Sequence, residues 1–204
     1  MQGLLPRLAI ARPPEGAAID PLALFADNPR EIWLEIGFGG GEHLAAQAVA
    51  YPHIGLIGSE VYVDGVASLL LHIEREGCTN IRIFPDDARF LLPALPDASI
   101  ARLFVLFPDP WPKSRHAERR FIGQDNLDLM ARVMQDDAEL RIATDHETYK
   151  VWAHEQMDQR TDFQRLTVNP EDRPDDWPAT RYEEKALKAG RTPIFLTYRR
   201  KPRG

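Results

Sequence analysis

Ile32-Trp-Leu-Glu-Ile-Gly-Phe-Gly-Gly-Gly-Glu-His43 is the stretch that decides the fold. An apolar strand runs into a glycine-rich turn and then into a helical pattern. Gly37, Gly39 and Gly41 stand at G-x-G-x-G spacing. Glycine reaches positive φ without strain and has no Cβ to hold a ligand away, so this turn suits close approach of a cofactor to the backbone. One βαβ unit further on, Ile54-Gly-Leu-Ile-Gly-Ser-Glu60 is a second apolar run ending in an acid. A carboxylate there can accept hydrogen bonds from both hydroxyls of a ribose. Glu35 lies inside the first strand, and a carboxylate in apolar surroundings needs partners. It can brace the glycine turn through backbone N–H groups or meet a ligand ammonium, and the sequence leaves both open.

Further along, Ala101-Arg-Leu-Phe-Val-Leu-Phe107 reads as a buried strand, and Pro-Asp-Pro-Trp-Pro-Lys113 follows it directly. The prolines fix φ and remove backbone donors, so the segment is a stiff, exposed loop. It holds one carboxylate, Asp109, and one large aromatic, Trp111, at the carboxyl end of a strand, where open α/β sheets bind their ligands. Lys113, Arg115, Arg119 and Arg120 come next. A rigid acid and aromatic beside clustered positive charge points to a nucleobase on a phosphate backbone. Trp111 leans toward packing the loop over stacking on a base, because Pro-Trp-Pro is a rigid unit.

Between and beyond these segments, apolar runs alternate with helical patterns. Strands are expected at 32–37, 54–60, 80–84, 101–107, 139–144, 163–167 and 194–199, and helices starting near Gly41, Tyr62, Ala88, Ala117 and Glu147. Val66, Leu69, Leu70 and Ile73 share one helical face. The alternation predicts an α/β fold: a mostly parallel seven-stranded sheet with helices on both faces, its last strand returning antiparallel. Residues 1–204 read as one domain without repeats. Residues 169–193 are rich in proline and charge and too long for an ordinary connection, and such loops are usually functional.

Composition narrows the function. With 204 residues and 44% hydrophobic content, the chain can bury a full core. No apolar run approaches the roughly 20 residues that span a bilayer, and the N-terminus lacks a signal-peptide pattern. Cys78 is the single cysteine and no His-Glu-x-x-His pair occurs, so neither a disulfide framework nor a metal is expected, and a cytoplasmic location is. The net charge of −6 is unevenly spread. Residues 1–100 hold 6 basic against 13 acidic side chains; residues 185–204 hold seven basic and no acid. Local potential steers a polyanion, so an acidic chain can still carry a basic RNA-binding patch.

Taken together, Leu34–Gly41, Gly58-Ser-Glu60, Asp87-Ala88, Phe107–Lys113, Arg115-His116, Arg119-Arg120, Ala143-Thr-Asp145 and Thr180-Arg-Tyr-Glu183 resemble the bacterial tRNA (guanine-N7)-methyltransferases, the TrmB family. The resemblance runs from Leu34 to Arg199. The glycine-rich strand end is shared by many methyltransferases; the Phe-Pro-Asp-Pro-Trp run followed by Lys and Arg-His is far more specific. The resemblance implies a class I Rossmann-like methyltransferase with S-adenosylmethionine as methyl donor and tRNA as partner. It implies that Glu35, Gly37, Gly39, Gly41, Glu60, Asp87 and Asp109 bind the cofactor, with Asp87 favoured over its neighbour Asp86. It implies that Asp109 is catalytic, and that Lys113, Arg115, Arg119, Arg120, Asp145, Thr180, Arg181, Tyr182 and Glu183 meet the tRNA, aided by the basic C-terminal stretch. The chain departs from the family pattern at Pro112, Glu118, His146 and Tyr182, and Glu118 makes the loop less basic.

The implied target is N7 of a variable-loop guanine, position 46. That nitrogen carries a free lone pair, so no proton must leave it first. Asp109 then acts by hydrogen-bonding the guanine Watson–Crick edge and stabilising the cationic ring, a matter of positioning and electrostatics. The alternative is another nucleic-acid base methyltransferase of the same fold. An exocyclic-adenine enzyme would place two prolines between the acid and the aromatic, where this chain has one. A nicotinamide oxidoreductase would carry G-x-G-x-x-G.

Overall fold

Each residue of β1 (Ile32–Ile36) is buried in the computed structural model, which describes residues 3–204. A strand covered on both faces belongs at the centre of a parallel sheet. Around it lie β2 (Gly55–Ser59), β3 (Ile81–Phe84), β4 (Ile100–Leu106), β5 (Met134–Thr144), β6 (Phe163–Arg165) and β7 (Ile194–Arg200), in the order β3-β2-β1-β4-β5-β7-β6. The first five run parallel, β7 is antiparallel to β5, and β6 is antiparallel to β7. β7 descends from Ile194, beside Thr144 at the carboxyl end of β5, to Arg199 beside Glu139. The fold class is as expected.

The helices are α1 (Leu5–Leu8), α2 (Glu42–Ala50), α3 (Val63–Glu76), α4 (Ala88–Leu91), α5 (Gln124–Val133), α6 (Glu147–Asp158) and α7 (Arg181–Lys188). α3 buries Val66, Leu69, Leu70 and Ile73, the face its spacing predicts, and ends at Gly77 in the left-handed region. One face of the sheet packs Leu34, Val105 and Ile142 against α5 and α6; the other packs Trp33, Leu56 and Phe104 against α2 and α3. No helix among the described residues is long and apolar enough to cross a membrane.

Besides the short helix α1, which was not expected, three elements differ from expectation. β5 begins at Met134, not Glu139, because an irregular stretch with Asp137 at φ 65° breaks the apolar alternation. The helix expected near Ala117 is a 3-10 turn, Ser114–Arg119, stopped by extended backbone at Arg120, and α5 starts later. Within 169–193, expected to be loop, stands α7. Its signal was present: Thr180-Arg-Tyr-Glu183 has capping-box spacing, and Thr180 Oγ1 accepts a hydrogen bond from Glu183 N at 3.1 Å.

Candidate active site

The strand order reverses between β1 and β4, and there a cavity of about 280 Å³ opens at the carboxyl ends of β1, β2 and β4. Its floor is the glycine turn. Gly37, Gly39 and Gly41 have φ of 69°, 56° and 82°. A Cβ on Gly37 would point into open space, whereas one on Gly39 would lie 2.6 Å from Tyr182 Cε2. The turn is therefore a cradle that side chains would fill.

Glu60 folds this cradle. It is only 5% exposed, and its carboxylate accepts hydrogen bonds from Gly39 N at 2.8 Å and Tyr62 N at 2.9 Å. A carboxylate has about four acceptor positions, so two remain for a ligand. Asp87 also lines the cavity while its Oδ1 accepts from Arg89 N at 2.9 Å and caps α4. Asp86 is turned away: it accepts from Asp87 N at 2.7 Å and faces Arg12 at 3.5 Å.

Glu35 lies beneath the turn, 2% exposed, and takes a 2.7 Å hydrogen bond from His43 Nδ1. Gln47 Nε2 sits 3.2 Å from His43 Nε2 and 3.3 Å from the carbonyl of Asp176. The brace thus runs through a buried histidine, not through backbone N–H groups, and ties the sheet to the 169–180 segment. Asp176 is anchored further by Arg141 at 2.7 Å and Arg102 at 3.6 Å. Burial alone would raise its carboxyl pKa, but the Arg141 hydrogen bond and charge, with Arg102 behind, outweigh burial and hold it below the ordinary value.

Phe107 and Trp111, at the two ends of Pro-Asp-Pro, both have positive φ, 51° and 40°. Such backbone costs on the order of 1–3 kcal/mol per residue and persists only where the surroundings impose it. Arg120 does so here. Its guanidinium donates to Pro110 O at 3.2 Å and to Trp111 O at 3.0 and 3.2 Å, and lies 4.6 Å from the Trp152 ring centre. Asp109 is thereby fixed and exposed at the cavity rim, with the Tyr62 hydroxyl 3.5 Å from Oδ2. The Asp109 charge, with some burial and Glu60 behind it, pushes the Tyr62 phenol above its usual pKa. Trp111 is half-buried and lines the cavity, with Arg119 over its ring at 4.9 Å.

The remaining predicted residues divide by exposure. Lys113, Arg115 and Arg119 stand exposed beside the loop, and Arg181 and Tyr182 are exposed on α7. Tyr182 lines the cavity and stacks on Phe107 at 6.3 Å. Asp145 is tied to Arg191 at 2.6 Å. Three residues expected to meet RNA are instead buried. Arg120 is consumed by the loop carbonyls, Thr180 caps α7, and Glu183 pairs with Arg173 at 3.2 Å. The basic residues from Arg199 onward lie at the opposite end of the sheet from the cavity, because β7 runs downward. Val61, Tyr62 and His43 belong to the site's surroundings and were not singled out; position directly after Glu60 was the available signal for the first two. Among the described residues, no group of three or more His, Cys, Asp or Glu could hold a metal.

A family model described as a putative methyltransferase matches residues 29–196. A tRNA (guanine-N(7)-)-methyltransferase of Paramagnetospirillum magneticum is 51% identical over 206 residues, covering 100% of this chain and 86% of that protein. A protein of the same name from Rhodospirillum rubrum is 52% identical over 192 residues, covering 93% and 75%. Among solved structures, an rRNA methylase from Streptococcus thermophilus superposes with a TM-score of 0.58 at 11% identity, over 84% of this chain and 87% of that one. The 16S rRNA methyltransferase KamB also gives 0.58, at 15% identity, covering 85% and 89%. These two share the fold.

Proposed function

The chain belongs to the tRNA (guanine-N7)-methyltransferase family, and on that premise we propose that residues 1–204 act as one cytoplasmic enzyme domain that methylates N7 of guanine 46 in the tRNA variable loop. The observation that carries the reading is Asp109, held rigidly at the rim of a glycine-floored cavity by Arg120 and three prolines.

The cavity fits S-adenosylmethionine. Gly37 leaves room where a Cβ would intrude, Glu60 has two acceptor positions left for ribose hydroxyls, and Asp87 keeps Oδ2 for an amino group. Ile36, Val61 and Val105 supply an apolar wall for a base. When bound, S-adenosylmethionine would supply an electrophilic methyl on a positive sulfur, and its transfer to the N7 lone pair would leave neutral sulfur and a positive guanine ring. No proton leaves N7. Asp109 accepts hydrogen bonds from the guanine Watson–Crick edge and offsets the charge that grows on the ring. Tyr62, beside Asp109, helps fix that carboxylate. Lys113, Arg115, Arg119 and Arg181 contact phosphates, which positions the substrate without reading its sequence.

Asp109→Ala tests the reading. Methyl transfer should fall ~10²-fold or more, since a preorganised electrostatic group is typically worth that much. Thermal stability should hold, because the side chain is exposed. Turnover within about tenfold of wild type would remove Asp109 from the chemistry.

A further inference from the structure

Helix α2 buries two polar side chains that the chemistry above does not use, His43 and Gln47, 2% and 1% exposed. They stand at i and i+4, neighbours on one helix face. Polar groups so deeply buried need partners. His43 Nδ1 lies 2.7 Å from Glu35 Oε2, and its Nε2 lies 3.2 Å from Gln47 Nε2. The ring sits edge-on to Phe104, with centres 4.8 Å apart. Gln47 Nε2 also reaches the carbonyl of Asp176 at 3.3 Å.

These contacts fix where the imidazole proton sits. The Asp176 carbonyl can only accept, so the group facing it is the NH₂ of Gln47; turning the amide over would set two oxygens against each other. The same NH₂ then donates to His43 Nε2, which must be bare. The proton is therefore on Nδ1 and is donated to Glu35, so the histidine is neutral and Glu35 is the acceptor. Gln47 keeps this orientation although its own Oε1 has no partner among the described residues. Asp176 is itself gripped by Arg141 and Arg102.

Glu35 faces a space. Beneath the glycine turn, a niche of about 10 Å³ is lined by Glu35, Gly37, His43, Thr180 and Tyr182. Gly37 and Tyr182 also line the large cavity, so the two adjoin. Such a volume takes about one water-sized sphere, and an ammonium group is of that size. Among the described residues, His43 is the one side chain hydrogen-bonded to Glu35. A buried carboxylate with a single neutral partner attracts a cation.

We propose that His43 is a positioning residue for cofactor binding. It holds Glu35 ionised and turned into the niche, ready for the ammonium at the amino-acid end of S-adenosylmethionine. Gln47, pinned by Asp176, keeps the imidazole in the tautomer that does so. The 169–180 segment thereby takes part in cofactor binding without touching the cofactor. This rests on the S-adenosylmethionine reading.

Calorimetric titration with two ligands tests it. S-adenosylhomocysteine carries the amino-acid end; methylthioadenosine keeps the nucleoside and the sulfur but lacks that end. His43→Leu should weaken S-adenosylhomocysteine about tenfold or more, the loss of a charge-assisted contact, and leave methylthioadenosine within about twofold. His43→Asn, whose amide can donate from near the Nδ1 position, should recover most of that loss. Nitrogen NMR of the unaltered protein should show a protonated Nδ1 and a bare Nε2 at neutral pH. Equal losses for both ligands would overturn the proposal, because a merely structural histidine would act on both. So would full S-adenosylhomocysteine affinity in His43→Leu, a loss that His43→Asn does not relieve, or a proton on Nε2. The NMR measurement needs no variant, so a misfolded His43→Leu does not shield the proposal. A wild-type protein that binds neither ligand would instead sink the parent cofactor reading.

Discussion

Replacing Glu60 by alanine should destabilise the free protein before any ligand is added. The side chain is 5% exposed and accepts hydrogen bonds from Gly39 N and Tyr62 N. Alanine leaves both donors without their partner. A buried, unpaired N–H costs about 1–3 kcal/mol, and a hydrogen bond to a charged group contributes about 1.5–3 kcal/mol. Tyr62 is exposed, so its N–H can recover water; Gly39 is more enclosed. One full loss and one partial loss come to about 2–4 kcal/mol. For a chain of this size that lowers Tm by roughly 5–15 °C. Glu60→Gln should lose about half as much, since its amide oxygen still serves one N–H while its NH₂ opposes the other. Calorimetric titration should then show S-adenosylmethionine affinity reduced by a further ~10- to 100-fold in the alanine variant, the loss of charge-assisted bonds to ribose. Thermal unfolding of Glu60→Ala within about 0.5 kcal/mol of wild type would refute the claim that this carboxylate folds the cradle.

Arg120→Ala should behave as a structural lesion, costing about 2–4 kcal/mol through the freed Pro110 and Trp111 carbonyls; its tRNA salt slope should stay at the wild-type value, and a flattened slope would return Arg120 to the RNA surface. Asp176 titrates below the ordinary carboxylate value, so the stability from its Arg141 and Arg102 pairs is fully present above that ordinary value and disappears as pH falls through the depressed one. The stability gap between wild type and Asp176→Asn should therefore shrink below about pH 4; a gap constant from neutral pH to about pH 3 would contradict this.

The sheet was legible because its signals are local. A buried strand such as Ile32–Ile36 is apolar throughout save for Glu35, the glycines mark where φ must turn positive, and alternation with helical faces forces parallel pairing. Asp109 stood out for the same reason, since prolines fix a loop whatever surrounds it. What stayed hidden depends on partners distant in sequence. Nothing at Arg120 distinguishes it from Arg119, one residue away. One donates to the loop carbonyls and the other lies exposed over Trp111, and the folded path of the chain alone separates them. Thr180 and Glu183 matched a family pattern, yet their spacing equally spelled a helix cap, and the cap is what they form. The basic C-terminus is clustered in sequence, but β7 carries it to the end of the sheet opposite the cavity.

The most direct test compares two tRNA transcripts, one with guanosine and one with 7-deazaguanosine at position 46, each incubated with the enzyme and S-adenosylmethionine labelled at the methyl. Label should enter the first transcript and be recovered as 7-methylguanosine at that position, and the second, which has carbon in place of N7, should stay unlabelled. Equal labelling of both transcripts, or label recovered on another base, would contradict methylation at guanine N7.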